Sequence, residues 1–368
     1  MTTPPVKRSP IAQLPEFGQS PWYDNLARAY ATGGLRALME RDDIRGVTSN
    51  PTIYEKALAA GADYDEQLAT LVAAGTETKD AYWELVTTDI ANAADLLRPV
   101  FDSLSGADGF VSVEVDPDLA HDTADTVKQA AELYAKVGRP NVMIKIPGTT
   151  ECLPAIADTI AAGINVNVTL IFALRRHAEV IEAYLSGLER LAANGGDLST
   201  VSSVASFFVS RVDTETDRRL PEGHPLRGKA AVANAKLAYR LFERSFSGAR
   251  WEALAAKGAR VQRPLWASTS TKNPAYSPTL YVDELIGPDT VNTLAQASID
   301  ALQTHEGLRP GTVQERVDES EAVLAELPAA GVDFDDVTDT LEREGVASFS
   351  ASFHDALDTL AKKAKELR

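Results

Sequence analysis

Residues 141–150 read NVMIKIPGTT, and residues 164–172 read INVNVTLIF. Both runs are short and almost continuously apolar apart from a few polar residues, the texture of strands covered on both faces in a parallel sheet. Each is followed by amphipathic sequence, Leu153 to Ala162 after the first and Ala173 to Ala193 after the second, with apolar residues at three- and four-residue spacing. Parallel neighbours cannot be joined by a tight turn, so this order implies helical crossovers. Working outward, further short runs lie near Trp22 to Asp24, Arg45 to Ser49, Gly109 to Val115, Ser202 to Val209, Val261 to Ser268 and Asp289 to Leu294, with helical stretches such as Asp118 to Val137 and Lys229 to Phe246 between them. Eight strand-like runs predict an α/β protein built as a single (β/α)8 TIM barrel. A doubly wound sheet competes, but it usually carries a glycine-rich phosphate turn, and neither GxGxxG nor GxxxxGK[ST] occurs.

The ends of the chain differ in texture. Residues 1–20 are Pro-rich and polar, which predicts a flexible N-terminal arm before a barrel over 21–306. From Gly307 the strand texture gives way to acidic helical sequence, so 307–368 is expected to be a helical extension packed on the barrel.

Composition excludes several function classes. Of the 368 residues, 36 are Lys or Arg and 53 are Asp or Glu, a net charge of −17 with no local basic cluster. Binding to nucleic acid or to an anionic membrane surface is therefore not expected. No apolar run approaches the roughly 18 residues of a membrane span, and the prolines of the first twenty residues interrupt any signal-peptide core, so a cytoplasmic location is expected. Cys152 is the sole cysteine and the five histidines are scattered, so neither a disulfide nor a metal or other cofactor is expected. Glu151 and Cys152 read as a local cap and a packing residue.

The chemical signal lies in polar residues inside apolar strands. Period-two alternation places Met143 and Lys145 on one face of their strand, and Ser112 and Glu114 on one face of GFVSVEV. An inward lysine must pair, reach solvent or lose its charge, and desolvation lowers an ammonium pKa from about 10.4 toward the range of roughly 7–8 useful in catalysis. An inward Glu114 on the neighbouring strand makes an acid/base and amine pair; the competing reading is a buried structural ion pair. Asp24 follows two aromatics, Asn50 precedes a proline, Asn165, Asn167 and Thr169 share a strand face, and Ser206, Phe208 and Arg211 gather at another strand's end. Singly, such residues are commonly caps or turns. Jointly they match a barrel, whose catalytic groups come from the C-terminal ends of several strands. The Ser/Thr-rich turn ASTSTKNP, with Lys272, suits a phosphate monoester, with Ser268 and Ser270 both open as partners.

Taken in order, WYDNL, GVTSNPTIYEKAL, SVEVDPDLAHDT, NVMIKIPGT, INVNVTLIF, SFFVSR, WASTSTKNPAYSPTLYVDELIGPDTVNTL and DVTDTLEREGV resemble transaldolase in its longer bacterial form, over nearly the whole chain from Trp22 to Val346. The resemblance implies a pentose phosphate pathway transferase, free of metal and cofactor. It would move a dihydroxyacetone unit from sedoheptulose 7-phosphate to glyceraldehyde 3-phosphate, giving erythrose 4-phosphate and fructose 6-phosphate. By motif, Lys145 would form the Schiff base, Glu114 would act as acid/base through a water positioned by Thr169, and Asp24 would take the C4 hydroxyl proton. Asn50, Asn167 and Ser206 would hold the dihydroxyacetone moiety beside Phe208, and Arg211 and Lys272 would bind phosphate. Many relatives carry Arg where Lys272 stands, and Lys is a point charge, not a bidentate fork. The nearest alternative is an enzyme like fructose 6-phosphate aldolase, in which a Tyr takes the acid/base role; a non-catalytic sugar-phosphate-binding barrel is a further one. The partners expected are these sugar phosphates, for a monomer or homodimer.

Overall fold

A computed structural model describes residues 9–367. Eight parallel strands close into a barrel in sequence order: β1 Gln19–Asp24, β2 Gly46–Thr48, β3 Val111–Glu114, β4 Val142–Pro147, β5 Val166–Ile171, β6 Ser203–Phe208, β7 Arg263–Ala267 and β8 Thr290–Leu294, with β8 pairing back onto β1. Each coincides with one of the strand-like runs read from the sequence. The helices Thr123–Val137, Cys152–Ala161, Leu174–Ala193 and Ala230–Ser245 fall where apolar periodicity places them. Between β2 and β3 the crossover is longer than one helix, comprising Pro51–Ala59, Asp65–Ala73 and Thr78–Ser103.

Register carries the site. Glu114 pairs with Lys145 across β3 and β4, and Lys145 with Asn167 across β4 and β5, so three polar residues form one row. Alternation then sends their side chains to the same side of the sheet, the barrel interior. At the other end of the barrel Asp108 accepts a hydrogen bond from Trp22 Nε1 at 2.9 Å and one from Ser20 Oγ, with Arg263 Nη1 3.3 Å away. Gly46 on β2 is required by Trp22 of β1, because a Cβ there would lie 2.4 Å from the indole ring.

The N-terminal boundary differs from the flexible arm expected over 1–20. Residues 1–8 of that segment lie outside the described residues, but Pro10–Phe17 forms a 3-10 helix with Ile11 and Leu14 fully buried, and Gln19 already belongs to β1. Proline at the first helical position supplies a preset φ and lacks only an N–H that would be unpaired there, so the Pro-rich composition is compatible with order. Gln19 Nε2 donates to Leu285 O at 2.7 Å and to Thr290 Oγ1 at 3.0 Å, fastening the segment under β8.

Beyond 307 the chain forms Val317–Glu326 and then the long helix Phe334–Glu366. This C-terminal helix crosses to the helix Pro51–Ala59, where Ser352 Oγ meets Thr52 Oγ1 at 2.8 Å. Gly345 lets it approach Leu170 of β5, since a Cβ would stand 2.9 Å from Leu170 Cδ2. Among the described residues no helix is long and apolar enough to cross a membrane.

One of the scattered histidines is a core residue. His177, on Leu174–Ala193, is fully buried, edge-on to Phe207 with ring centroids 5.6 Å apart, and among the described residues neither ring nitrogen has a hydrogen-bond partner. Burial disfavours the imidazolium and holds its pKa down at about 4. The unfolded chain takes up that proton near pH 6.5, so the stability from neutral burial is present above about 6.5 and is lost as pH falls toward 4, by up to about 3 kcal/mol. Urea denaturation at pH 7 and pH 5 should show that loss in the wild type and a smaller one in His177→Leu. Equal losses would place the acid sensitivity elsewhere.

Candidate active site

At the C-terminal end of the strands lies a cavity of about 290 Å³. Asp24 from the end of β1, Asn50 after β2, Lys145 from β4, Thr169 from β5, Ser206 and Phe208 from β6, Arg211 beyond β6 and Lys272 beyond β7 all line it. Glu114 and Asn167 stand directly beside Lys145 in the register row. Asn165, among the polar strand residues singled out from the sequence, lies away from the cavity.

Lys145 is the centre. Its Nζ donates to Ser49 O at 3.2 Å and stands 3.2 Å from Glu114 Oε2, with both side chains about 95% shielded from solvent (6% and 5% exposed). Apart from this contact with Lys145, Glu114 Oε2 has no partner among the described residues. Desolvation pushes the Glu114 carboxyl above the usual range, and the Lys145 charge opposes that rise. Thr169 Oγ1 is likewise buried without a partner. Its strand bulges next to it, with a register shift between Val168 and Ile171 and Leu170 at φ +59°, a left-handed conformation costly for a residue other than glycine.

Asp24 is oriented by Thr48, whose Oγ1 donates to Asp24 Oδ1 at 2.7 Å. Thr48 Oγ1 has only one proton, so at 2.6 Å it is Thr293 Oγ1 that donates to it. Burial raises the Asp24 carboxyl, and Lys145, then the Thr48 bond, then Lys272 and Arg211 hold it back. Asn50 caps the helix Pro51–Ala59 by accepting from Ile53 N at 3.0 Å, and it also lines the cavity. In β6 the Ser206 hydroxyl donates to Asn167 Oδ1 at 2.7 Å, and Asn167 Nδ2 donates to Ser112 Oγ at 3.0 Å. Asn165 instead braces the start of β5, donating to Pro140 O and Val142 O.

The mouth is cationic. Lys56, Lys145, Arg211 and Lys272 face the cavity against one carboxylate, Asp24, in a chain whose net charge is −17. Arg211 stacks its guanidinium 5.4 Å from the Phe208 ring centroid and makes no salt bridge among the described residues. Desolvation lowers its pKa, and also that of Lys272, which Arg211 lowers further. Lys272 Nζ donates to Ser270 Oγ at 2.8 Å, whereas Ser268 Oγ is 2.9 Å from Ser210 Oγ, so Ser270 is the serine that accompanies the lysine. Tyr276 of the same loop and Tyr281 of the helix Leu280–Glu284 that follows it tie this segment to the helix bearing Arg211: Tyr276 donates to Asp217 at 2.6 Å and Tyr281 to Asp213 at 2.9 Å.

Sequence reasoning missed Lys56 and Phe349. Lys56 had a signal, since it lies three residues after Ile53 and four after Thr52 on the helix that follows TSNP and shares their face. Phe349 had none, because it arrives from the C-terminal helix. Cys152 is structural as read, buried with Sγ 3.4 Å from Ala120 O. Among the described residues no cluster of His, Cys, Asp or Glu is placed to hold a metal ion.

A family model, Transaldolase/Fructose-6-phosphate aldolase, matches residues 21–360. The chain belongs to this family. It is 51% identical over 359 residues to transaldolase of Saccharopolyspora erythraea, covering 96% of this chain and 98% of that one. It is 50% identical to transaldolase of Acidothermus cellulolyticus, covering 98% of each, and 50% identical to that of Thermobifida fusca, covering 96% and 98%. The barrel and the family expected from the sequence are both found.

In the transaldolase-family site the ion pair should be separable by pH. Lys145→Met removes the charge that restrains the Glu114 carboxyl, so its folded-state pKa rises further above the unfolded value of about 4.3. A carboxyl raised in the folded state contributes stability at low pH that is lost as pH rises through its folded pKa. Urea denaturation from pH 4 to 8 should show stability falling more steeply with pH in Lys145→Met than in Lys145→Met/Glu114→Gln. Identical pH profiles would mean that the two side chains are not coupled.

Proposed function

We propose that this chain is a transaldolase that transfers a dihydroxyacetone unit between sugar phosphates through a Schiff base on Lys145. The observation that carries the reading is the shielded contact of Lys145 with Glu114 at the base of a cation-lined cavity that Asp24 also lines. The Lys145 amine attacks the ketose carbonyl to form a carbinolamine. Glu114, acting through a water that it shares with Thr169, protonates the departing hydroxyl, and the protonated imine results. Glu114 Oε2, whose one contact is the Lys145 ammonium, and the buried Thr169 Oγ1, without a partner among the described residues, support this assignment, because buried polar atoms ordinarily have hydrogen-bond partners.

Asp24 then accepts the C4 hydroxyl proton. The C3–C4 bond breaks, the aldehyde departs, and the bonding pair moves toward the iminium to leave an enamine, with no metal required. With sedoheptulose 7-phosphate as donor the departing aldehyde is erythrose 4-phosphate; the enamine adds to glyceraldehyde 3-phosphate, whose aldehyde oxygen takes the proton back from Asp24, and one water hydrolyses the resulting iminium to release fructose 6-phosphate and the Lys145 amine. Asp24 suits proton acceptance because burial raises its basicity while the Thr48 hydroxyl fixes one of its oxygens. Asn50, Asn167 and Ser206 hold the hydroxyls of the three-carbon unit beside Phe208. Arg211 and Lys272 bind the phosphate with Ser270, and Lys56 adds charge at the mouth.

Incubation with fructose 6-phosphate, reduction with borohydride and peptide mass spectrometry should find a dihydroxyacetone-derived adduct on Lys145, absent from Lys145→Met. No adduct, with ligand binding confirmed independently, would defeat the mechanism. Acceptor-dependent product formation would separate a transferase from an aldolase that releases free dihydroxyacetone. Arg211→Ala and Lys272→Ala should each raise KM for fructose 6-phosphate by on the order of tenfold or more, the loss expected for one charge-assisted contact. An unchanged KM in both would remove the phosphate assignment.

A further inference from the structure

We propose that Phe349 of the C-terminal helix caps the Lys145 nitrogen through the covalent cycle, and by excluding water determines how often the enamine is transferred and not hydrolysed; this rests on the Schiff-base reading above. Phe349 lines the active-site cavity, is 4% exposed, and places its ring centroid 5.7 Å from Lys145 Nζ. An ammonium and a protonated imine are both cations, and an aromatic face attracts either within about 6 Å, more strongly when desolvated. The ring offers no donor or acceptor that could hold a water on that side of the nitrogen.

The helix is held so that the ring stays there. Gly345, Phe349 and Ser352 fall on one helical face at spacings of four and seven residues. Gly345 sits against Leu170, whose left-handed conformation marks the bulge beside Thr169, and Ser352 bonds to Thr52 at 2.8 Å. Phe353, one turn on, packs edge-on to Tyr82 at 5.1 Å and against Trp83 at 6.0 Å. On the N-terminal side Glu342 reaches Arg176 at 3.4 Å. A segment remote in sequence therefore supplies the wall over the reacting nitrogen, set against the same strand that carries Thr169.

Hydrolysis is the competing reaction. Protonation of the enamine carbon gives an iminium, water adds across its C=N bond, and the C–N bond breaks to return the Lys145 amine and the proton. One water is consumed and free dihydroxyacetone is released. A wall that keeps water other than the one held by Glu114 and Thr169 away from the enamine slows its protonation and hydrolysis without slowing addition to an aldehyde that enters from the open side.

The test compares wild type with Phe349→Leu and Phe349→Met, using fructose 6-phosphate as donor and erythrose 4-phosphate as acceptor. Free dihydroxyacetone and transfer product are quantified together, with borohydride trapping and thermal melting run in parallel. In a variant that stays folded and still traps an adduct on Lys145, the ratio of release to transfer should rise by on the order of tenfold. An unchanged ratio in such a variant would overturn the proposal. So would loss of trapping in a folded variant, which would assign Phe349 to imine formation. Failure of the wild type to trap any adduct would instead strike the underlying mechanism. Two substitutions of different shape guard against one that does not fold.

Discussion

An ammonium and a carboxylate, Lys145 Nζ and Glu114 Oε2, stand 3.2 Å apart with their side chains almost entirely shielded from water. Desolvating two charges costs several kcal/mol for each ion, and mutual attraction alone repays this poorly. Stability is therefore a weak reason for such a pair to exist. The surroundings leave it only partly satisfied: Ser49 O takes one lysine proton, while Glu114 Oε2 has no partner besides Lys145 among the described residues. An incompletely satisfied polar centre in an otherwise well-packed barrel is what chemistry at the lysine requires, since the amine must be free to change partners.

Much of the remaining structure serves to hold that centre in place and to feed it. The closed barrel brings three consecutive strands into register, so that Glu114, Lys145 and Asn167 share a row. The bulge at Leu170 re-aims β5 just where Thr169 is needed, and the C-terminal helix comes close enough to touch that bulge because residue 345 is glycine. Backbone strain at this strand is tolerated because pairing on both sides and the covering helix over-determine it.

Charge is distributed with the same economy. The protein is strongly acidic, yet Lys56, Arg211 and Lys272 converge at the mouth of one cavity, and Arg211 and Lys272 lie on neighbouring elements joined by Asp213, Asp217 and two tyrosine hydroxyls. Burial pushes the Asp213 carboxyl up to about 7, against the pull of the Ala231 N–H and the Tyr281 hydroxyl. The two aspartates thus act as struts between the helix bearing Arg211 and the loop bearing Lys272. The net charge of −17 and this cationic opening are of opposite sign, so an anion is favoured at the opening over the rest of the surface.

The barrel and most of the site were legible in the sequence because both follow from period-two alternation. A strand buried on both faces must be apolar, so Lys145, Glu114, Asn167 and Thr169 declare themselves as exceptions, and alternation says which of them point the same way. The N-terminal segment was less legible, because Pro-rich composition suits both a loose arm and a short helix whose Ile11 and Leu14 are buried. What only the tertiary structure decided are contacts between elements far apart in the chain. Ser270, and not Ser268, accompanies Lys272 because Ser210 occupies the other hydroxyl, and Phe349 reaches Lys145 from a helix that begins at Phe334. Local periodicity states which side of its own element a residue occupies. It does not state which other element will stand opposite, and that is set by closure of the barrel and by how near Gly345 lets the last helix come.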